Sequence, residues 1–299
     1  MWFKNLRIYK LTEALSDDQF FSLTSLLQAQ EFKPCGSLDL MRYGFVQPVG
    51  EGFEHTLMGF TMICAKREEK VLPSGAINDA VAAKVKAIEE GENRNVGRKE
   101  RQTIKDEVIF SMLPKAFTKS SLDYAYIDHQ EQLIIVNASS ASRAEDLCSK
   151  LREALGSLKC IPLTPKCDPS QIMTMMASAG AQAPFELGEY IELKAGKDER
   201  VVSCRKQDLS ASTVLSHIQS GMYVSKLQLN WREGVTFVIE DDFAIKRLTF
   251  DSSIADKAND GNPESKAEQF DADFAVMTVE LRALITDLVA EFGGISNPE

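Results

Sequence analysis

The sequence predicts a mixed α/β (α+β) protein of two sheet-bearing units, with a helical hairpin inserted between the strands of the first. Three observations carry that expectation. Period-two alternation of apolar and polar residues recurs along most of the chain, it gives way to a helical period between Pro73 and Pro114, and the turn-rich TPKCDPS near residue 164 separates one run of strands from the next. The expected division is a central α/β domain of residues 1–72, 121–163 and 264–299, a helical tip of 73–120, and an α+β base of 164–263.

The opening FKNLRIYKL alternates and is rich in β-formers, so it is expected to be a strand. One helix should follow, capped by Ser16-Asp17, with Phe20, Leu23, Leu26 and Leu27 on one face. MRYGFVQPV and HTLMGFTMICA are expected as two strands joined through the turn at Gly50 to Gly52. Beyond Pro73 the stripe Ala76, Ile77, Ala80, Val81, Val85, Ile88 predicts a helix ending near Gly91. A second helix runs from about Arg98 to Leu113, where Pro114 must stop it because proline offers no backbone donor. SLDYAYID and EQLIIVNA form strands about a solvated turn at Asp128-His129, followed by the amphipathic SRAEDLCSKLREALG and the strand LKCIPL. The second unit holds a short Met-rich helix, the strands ELGEYIELKA and RVVSCRKQ, the helix SASTVLSHIQSG, and the strands MYVSKLQLNW, GVTFVIE and FAIKRLTF. DSSIADKANDGNPESK should be a polar linker, leading to a long terminal helix with Phe270, Phe274, Met277, Leu281, Leu284, Ile285 and Leu288 on its buried side.

With 44% hydrophobic and 26% charged residues the chain can bury a core, and it has neither an apolar run that could cross a bilayer nor a signal-like start. An intracellular protein with no membrane partner is expected. Six scattered cysteines without a CxxC pair and only three histidines argue against a structural zinc site and point to reduced, mostly buried thiols. The net charge of −10 is uneven. Fourteen acids against five bases between Glu240 and Glu299 account for nearly all of it. Two windows are locally +4: Arg94 to Lys119, with Arg94, Arg98, Lys99, Arg101, Lys105, Lys115 and Lys119, and Lys194 to Arg232, with Lys194, Lys197, Arg200, Arg205, Lys206, Lys226 and Arg232.

No phosphate loop, nucleophile elbow or zinc-protease motif is present, and no cofactor is expected. The carboxylates Glu240, Asp241, Asp242, Asp271 and Asp273 admit a metal-dependent nuclease as the alternative reading. The simpler account places the first three in a hairpin turn and the last two in the first turn of the terminal helix, where they favour the macrodipole. A pure protein-interaction scaffold is a third reading. Arg205, Lys206 and Gln207 should project from the end of a strand, while Lys115 and Lys119 bracket Phe117 on a loop. Point charges without a base-reading fork suit sequence-independent phosphate contacts.

The stretches MWFKNLRIYKL, FKPCGSLDL, ICAKREEKVLPS, KDEVIFSMLPKAFTKS, CRKQDLS and EQFDADFAVMTVELRALI, in this order along the whole chain, resemble the recombination-associated protein RdgC family. The resemblance implies a DNA-binding protein without an active site, indifferent to sequence on double- and single-stranded DNA, which restrains the RecA recombinase and sits with the nucleoid in the cytoplasm. It implies horseshoe-shaped subunits with a central sheet layer, helical tip and α+β base, pairing into a ring about a basic hole, with the acidic terminal region facing outward. It also implies that Phe117 lies where two subunit tips meet, and that Lys206, Gln207 and Asp208 line the DNA side. GENRNVGRKERQ, with Gly91 and Gly97, departs from the family's longer lysine-rich run and implies a shorter or looser tip. Phe117 has three readings: packing into its own subunit, stacking on bases, or plugging into a partner. The third is preferred, since burying a phenylalanine is worth about 1.5–3 kcal/mol.

Overall fold

A computed structural model describes residues 1–196, 200–259 and 263–296. Lys197 of the second basic window and residues 260–262 of the expected linker lie outside the described residues. The architecture is mixed α+β. In chain order the elements are β1 (Leu6–Leu11), α1 (Asp17–Phe21), α2 (Leu23–Ala29), β2 (Met41–Val46), β3 (Glu54–Leu57), β4 (Phe60–Lys70), α3 (Ser74–Glu92), α4 (Arg98–Met112), β5 (Thr118–Asp128), β6 (Leu133–Asn137), α5 (Ala141–Leu155) and β7 (Cys160–Pro162). They continue with α6 (Pro169–Ala179), β8 (Phe185–Ala195), β9 (Val201–Arg205), α7 (Ser212–Gln219), β10 (Met222–Trp231), β11 (Val235–Glu240), β12 (Ile245–Phe250), α8 (Ser252–Lys257) and α9 (Lys266–Glu291).

Among the described residues, twelve strands form one sheet of order β2-β4-β5-β6-β1-β12-β11-β10-β8-β9, with β3 added on β4 and β7 on β1. The strand pairs are antiparallel throughout. The first strand joins the two halves. It pairs with β6 over Leu6 to Lys10, but meets β12 only at Leu6 opposite Ile245.

In β4, six consecutive residues are buried because both faces of this half-sheet are covered. Met62 faces a core shared with Phe3, Tyr126, Ile191 and Leu227, closed by Phe274, Met277, Leu281 and Leu288 of α9. Ile63 faces the opposite core, with Tyr9, Ile134 and Val136 against Leu23, Leu27, Leu147 and Leu151 of α2 and α5. Beyond β12 one face still joins the first core, while the other carries a charge ladder. Lys226 reaches Glu192 at 3.3 Å and Glu240 at 3.7 Å, and Lys246 reaches Glu240 at 3.2 Å. The helical hairpin α3–α4 has its own small core of Ile77, Val81, Ile104 and Val108.

The structure departs from the sequence reading in several local places. The expected first helix breaks at Ser22 into α1 and α2, so Leu23 and Leu27 are buried while Phe20 stays exposed. HTLMGFTMICA is two strands, because Met58 and Gly59 both take positive φ (52° and 81°) and fold β3 back onto β4. Such a two-residue turn follows the twist of the flanking strands. β2 consequently pairs with β4, not with β3. The linker contains α8, capped by Asp251, whose side chain accepts from the Ser253 backbone N–H. Asp271 and Asp273 fall beyond the first turn of α9, which starts at Lys266.

Asp128 is the largest correction. It is 1% exposed, not solvated: both its oxygens accept from Arg282 at 2.7 Å, and Oδ1 also takes the backbone N–H groups of Gln130 and Glu131. This bidentate pair ties the β5–β6 turn to α9. Beside it, His129 Nε2 lies 2.8 Å from Thr61 Oγ1, and burial lowers the imidazole pKa.

Candidate nucleic-acid interface

The α3–α4 hairpin positions the first set of cations. Ile104 and Val108 must face Ile77 and Val81 to build the hairpin core, which leaves Arg98, Lys99, Arg101 and Lys105 exposed. Arg98, Arg101 and Lys105 stand at i, i+3 and i+7 on one side of α4, with Lys99 on an adjoining face. Arg94 is different. Its guanidinium is held by Glu92 and Glu100, each at 2.6 Å. The departures in this segment fall at helix ends: Gly97 is the N-cap of α4, and Gly91 lies in the last turn of α3, which ends on Asn93 in the left-handed region (φ 53°). Neither glycine interrupts a helix interior, where it would cost about 1 kcal/mol.

Pro114 turns α4 into one 3-10 turn, Leu113–Lys115, after which the chain becomes extended at Ala116. The Val71 N–H donates to the Phe117 carbonyl at 2.8 Å, continuing the β4–β5 ladder, in which Lys70 pairs with Thr118 and Glu69 with Lys119. The backbone of Phe117 is thereby fixed while its ring is 86% exposed, which excludes packing into its own subunit. Lys115 and Lys119 are exposed beside it. Val71, opposite Phe117, is exposed as well, as is Leu40 on the next strand, whose carbonyl accepts from Lys70 N–H, so the ends of three neighbouring strands each carry an exposed apolar side chain. Sequence reasoning missed Leu40 and Val71, since only strand pairing brings them to the same end of the sheet as Phe117. Among the described residues, Arg98, Lys99, Arg101, Lys105, Lys115 and Lys119 have no acidic partner within ion-pair distance.

In the second window at least three of the six described bases are held by carboxylates. Lys194 pairs with Asp241 at 3.1 Å, Lys226 with Glu192 and Glu240, and Arg232 with Asp287 at 2.9 Å. Hydrogen bonding to Asp241 leads the effects that raise the Lys194 pKa. Arg205 ends the edge strand β9 and lies over the Tyr190 ring at 5.6 Å. Lys206 takes a positive φ of 55° and turns the chain, so that Lys206 and Gln207 border an open cavity of about 420 Å³ with Leu187, Gly188 and Ser210. Asp208 accepts from both the hydroxyl and the backbone N–H of Ser210, which lowers its pKa and makes it a turn residue. A further cation joins this group. Arg247, on a bulge of β12 with φ 52°, lies over the same Tyr190 ring at 4.9 Å. The sequence held no signal for it, because it sits in the acidic terminal stretch and only the sheet order brings it to Tyr190. The arrangement can offer phosphate contacts from Arg205, Lys206 and Arg247, with an aromatic ring holding both guanidinium planes.

The carboxylates of the nuclease reading are not brought together. Glu240 bridges Lys226 and Lys246, Asp241 holds Lys194, Asp242 holds Arg7, and Asp273 binds the N-terminal ammonium at 2.6 Å. Asp271 lies 3.0 Å from His55 Nε2. Among the described residues no three His, Cys, Asp or Glu side chains are grouped so that they could share a metal ion. Likewise, among the described residues no helix is long and apolar enough to cross a membrane.

A family model described as "Putative exonuclease, RdgC" matches residues 1–295. Proteins named recombination-associated protein RdgC from Yersinia enterocolitica (serotype O:8 / biotype 1B), Yersinia pestis (strain Pestoides F) and Yersinia pseudotuberculosis (serotype O:1b) are each 40% identical to this chain, over 98% of both lengths. With a match of that extent, running through the sheet, the α3–α4 hairpin and α9, the chain belongs to the RdgC family.

Proposed function

We propose that this protein is a DNA-binding, non-enzymatic member of its family. Two copies pair into a ring around DNA of any sequence and, by occupying it, restrain RecA-mediated recombination at the nucleoid. The observation that carries the reading is the set of six cations without an acidic partner, Arg98, Lys99, Arg101 and Lys105 on α4 with Lys115 and Lys119 on either side of the exposed Phe117. Unpaired lysines and arginines release condensed counterions when they meet phosphates, which gives affinity without sequence preference. Phe117, with Leu40 and Val71, supplies an apolar contact for a second tip, and one ring without companions makes a poor base-stacking platform. In this reading α3–α4 is the tip of a horseshoe, the sheet half around β4–β5 with α9 its centre, and the β8–β12 half its base, where Arg205, Lys206 and Gln207 face DNA.

The family description favours a second reading, an exonuclease, but each candidate carboxylate is engaged by a cation or a histidine. Anisotropy of a labelled duplex across a salt series, with and without magnesium, separates the readings. A steep salt dependence shared by unrelated sequences supports the clamp. Loss of substrate only when magnesium is present supports the nuclease, and no binding at low salt overturns both. Ring closure has its own test: Phe117→Ala should shorten DNA-bound lifetime more on circular than on short linear DNA, and equal effects contradict it.

A further inference from the structure

A cavity of about 110 Å³ lies between the sheet and α9, and none of the residues that line it belongs to either basic window. Its floor is a block of four residues on one face of β5 and β6: Tyr126 opposite Ile135, and Asp128 opposite Leu133. Ile285 and Val289, one turn apart on α9, form the roof. Gly293 and Gly294 (φ 83° and 93°) then turn the chain back, so that Ile295 pairs with Pro165 and closes the cavity together with Leu163. Glu131 and Thr286, both exposed, stand at the rim.

One polar atom of this lining is unmatched. Tyr126 is 1% exposed, and among the described residues its hydroxyl has no hydrogen-bond partner. The ring cannot swing out to water, because Phe3, Phe60 and Phe274 hold it at centroid distances of 5.6, 5.8 and 6.1 Å. Its polar neighbours are already engaged: Asp128 accepts from Arg282 and from the backbone N–H groups of Gln130 and Glu131, and Arg282 also donates to the Gln130 side chain. A buried hydroxyl left in this way is costly, and a ligand that accepts from it removes the cost.

We propose that the cavity binds a small uncharged molecule with one hydrogen-bond acceptor, such as a cyclic ether or a ketone, on an apolar body of about five heavy atoms. The size follows from the volume, since a cavity of about 150 Å³ holds a benzene ring. The neutrality follows from Asp128 and Arg282, whose charges cancel, so that an ion would be buried without a counter-charge. The acceptor follows from Tyr126: burial raises its pKa, so the phenol keeps a proton to donate at neutral pH. Water suits the cavity less well, because an enclosed water needs about two to four polar partners and one is unmatched here. Leu133, Ile135, Leu163, Ile285, Val289 and Ile295 supply the apolar contacts. Occupancy ties α9 to β5 and β6 beside the Asp128–Arg282 pair and stabilises the fold by mass action.

The test titrates the full-length protein with tetrahydrofuran and with cyclopentane, rings of one shape of which only the first carries an acceptor. The methyl resonances of Leu133, Ile135 and Ile285 report binding. Both probes should shift these methyls and compete with each other. Tyr126→Phe should weaken tetrahydrofuran by about 3- to 10-fold and leave cyclopentane within about twofold. Cavity methyls that respond to neither probe would overturn the proposal, as would a Tyr126→Phe protein that binds tetrahydrofuran as tightly as wild type. If that variant fails to fold, Val289→Phe decides the matter by filling the cavity from its roof. Tetrahydrofuran should then no longer shift the methyls of Leu133 and Ile135, and shifts that persist would place the probe elsewhere and overturn the proposal.

Discussion

From Arg94 to Lys119, and again from Lys194 to Arg232, the chain carries seven bases against three acids, yet the two stretches keep different amounts of available positive charge. Around α4 only Arg94 is held by carboxylates close to it in sequence. In the β8–β10 region Lys194, Lys226 and Arg232 are held by acids from outside the window, and Asp241, Glu240 and Asp287 all belong to the acidic terminal stretch. The excess negative charge of that stretch is therefore partly spent on the second basic window, rather than all facing outward. Local charge counts say where cations are placed. Only the fold says which remain free to meet a phosphate.

If paired cations serve stability and free ones serve binding, removing one of each kind should separate two readouts. The largest stability effect should come from Arg282→Met, which leaves Asp128 charged, buried and without its partner. A loss of about 3–5 kcal/mol is expected in urea unfolding. A loss under about 1 kcal/mol would mean that water enters the site and that the pair is not a staple. Phe117→Ala comes next, as a test of the exposed apolar side chains and not of charge. It should leave monomer stability within about 0.5 kcal/mol of wild type and weaken self-association by about 10- to 100-fold in sedimentation, the equivalent of burying one ring in a partner. Lys194→Gln should do little, because the Lys194–Asp241 pair is roughly one-third exposed on both sides and such pairs are worth about 0–1 kcal/mol. A marked loss of DNA affinity in this variant would erase the distinction between the windows.

The smallest effect concerns pH. The folded-state pKa of His129 is lowered by burial, so the unfolded chain takes up its proton first as pH falls. The contribution of His129 to stability is complete above the ordinary histidine pKa of about 6.5 and declines below it. His129→Gln should flatten the dependence of the urea midpoint between neutral and mildly acid pH. An unchanged profile would assign that dependence to other groups.

What could be read from the sequence followed the range of the interactions involved. The helical hairpin, its end at Pro114 and the long α9 were legible, because apolar periodicity and a proline are local signals. The split at Met58 and Gly59 was not, since a methionine in the left-handed region has no sequence mark and the apolar run continues through it. Asp128 looked solvated because its partner, Arg282, is 154 residues away. The exposed cations of α4 were legible for the same local reason as its buried stripe. The pairing of Lys226 with Glu240, and the meeting of Arg205 and Arg247 on Tyr190, depend on the order of strands and could not be read from spacing.

If the α4 cations, and not the paired cations of the β8–β10 region, are the main phosphate contacts of the proposed clamp, the salt dependence of binding carries their signature. The direct measurement is the slope of log K against log salt for a duplex, compared between wild type and a protein carrying Arg98→Gln, Lys99→Gln, Arg101→Gln and Lys105→Gln. The expected wild-type slope is about −4 or steeper, made shallower by about 0.9 for each of the four cations that met a phosphate, with stability unchanged. A slope that survives these four changes, and falls instead when Lys194 and Lys226 are replaced, would contradict it.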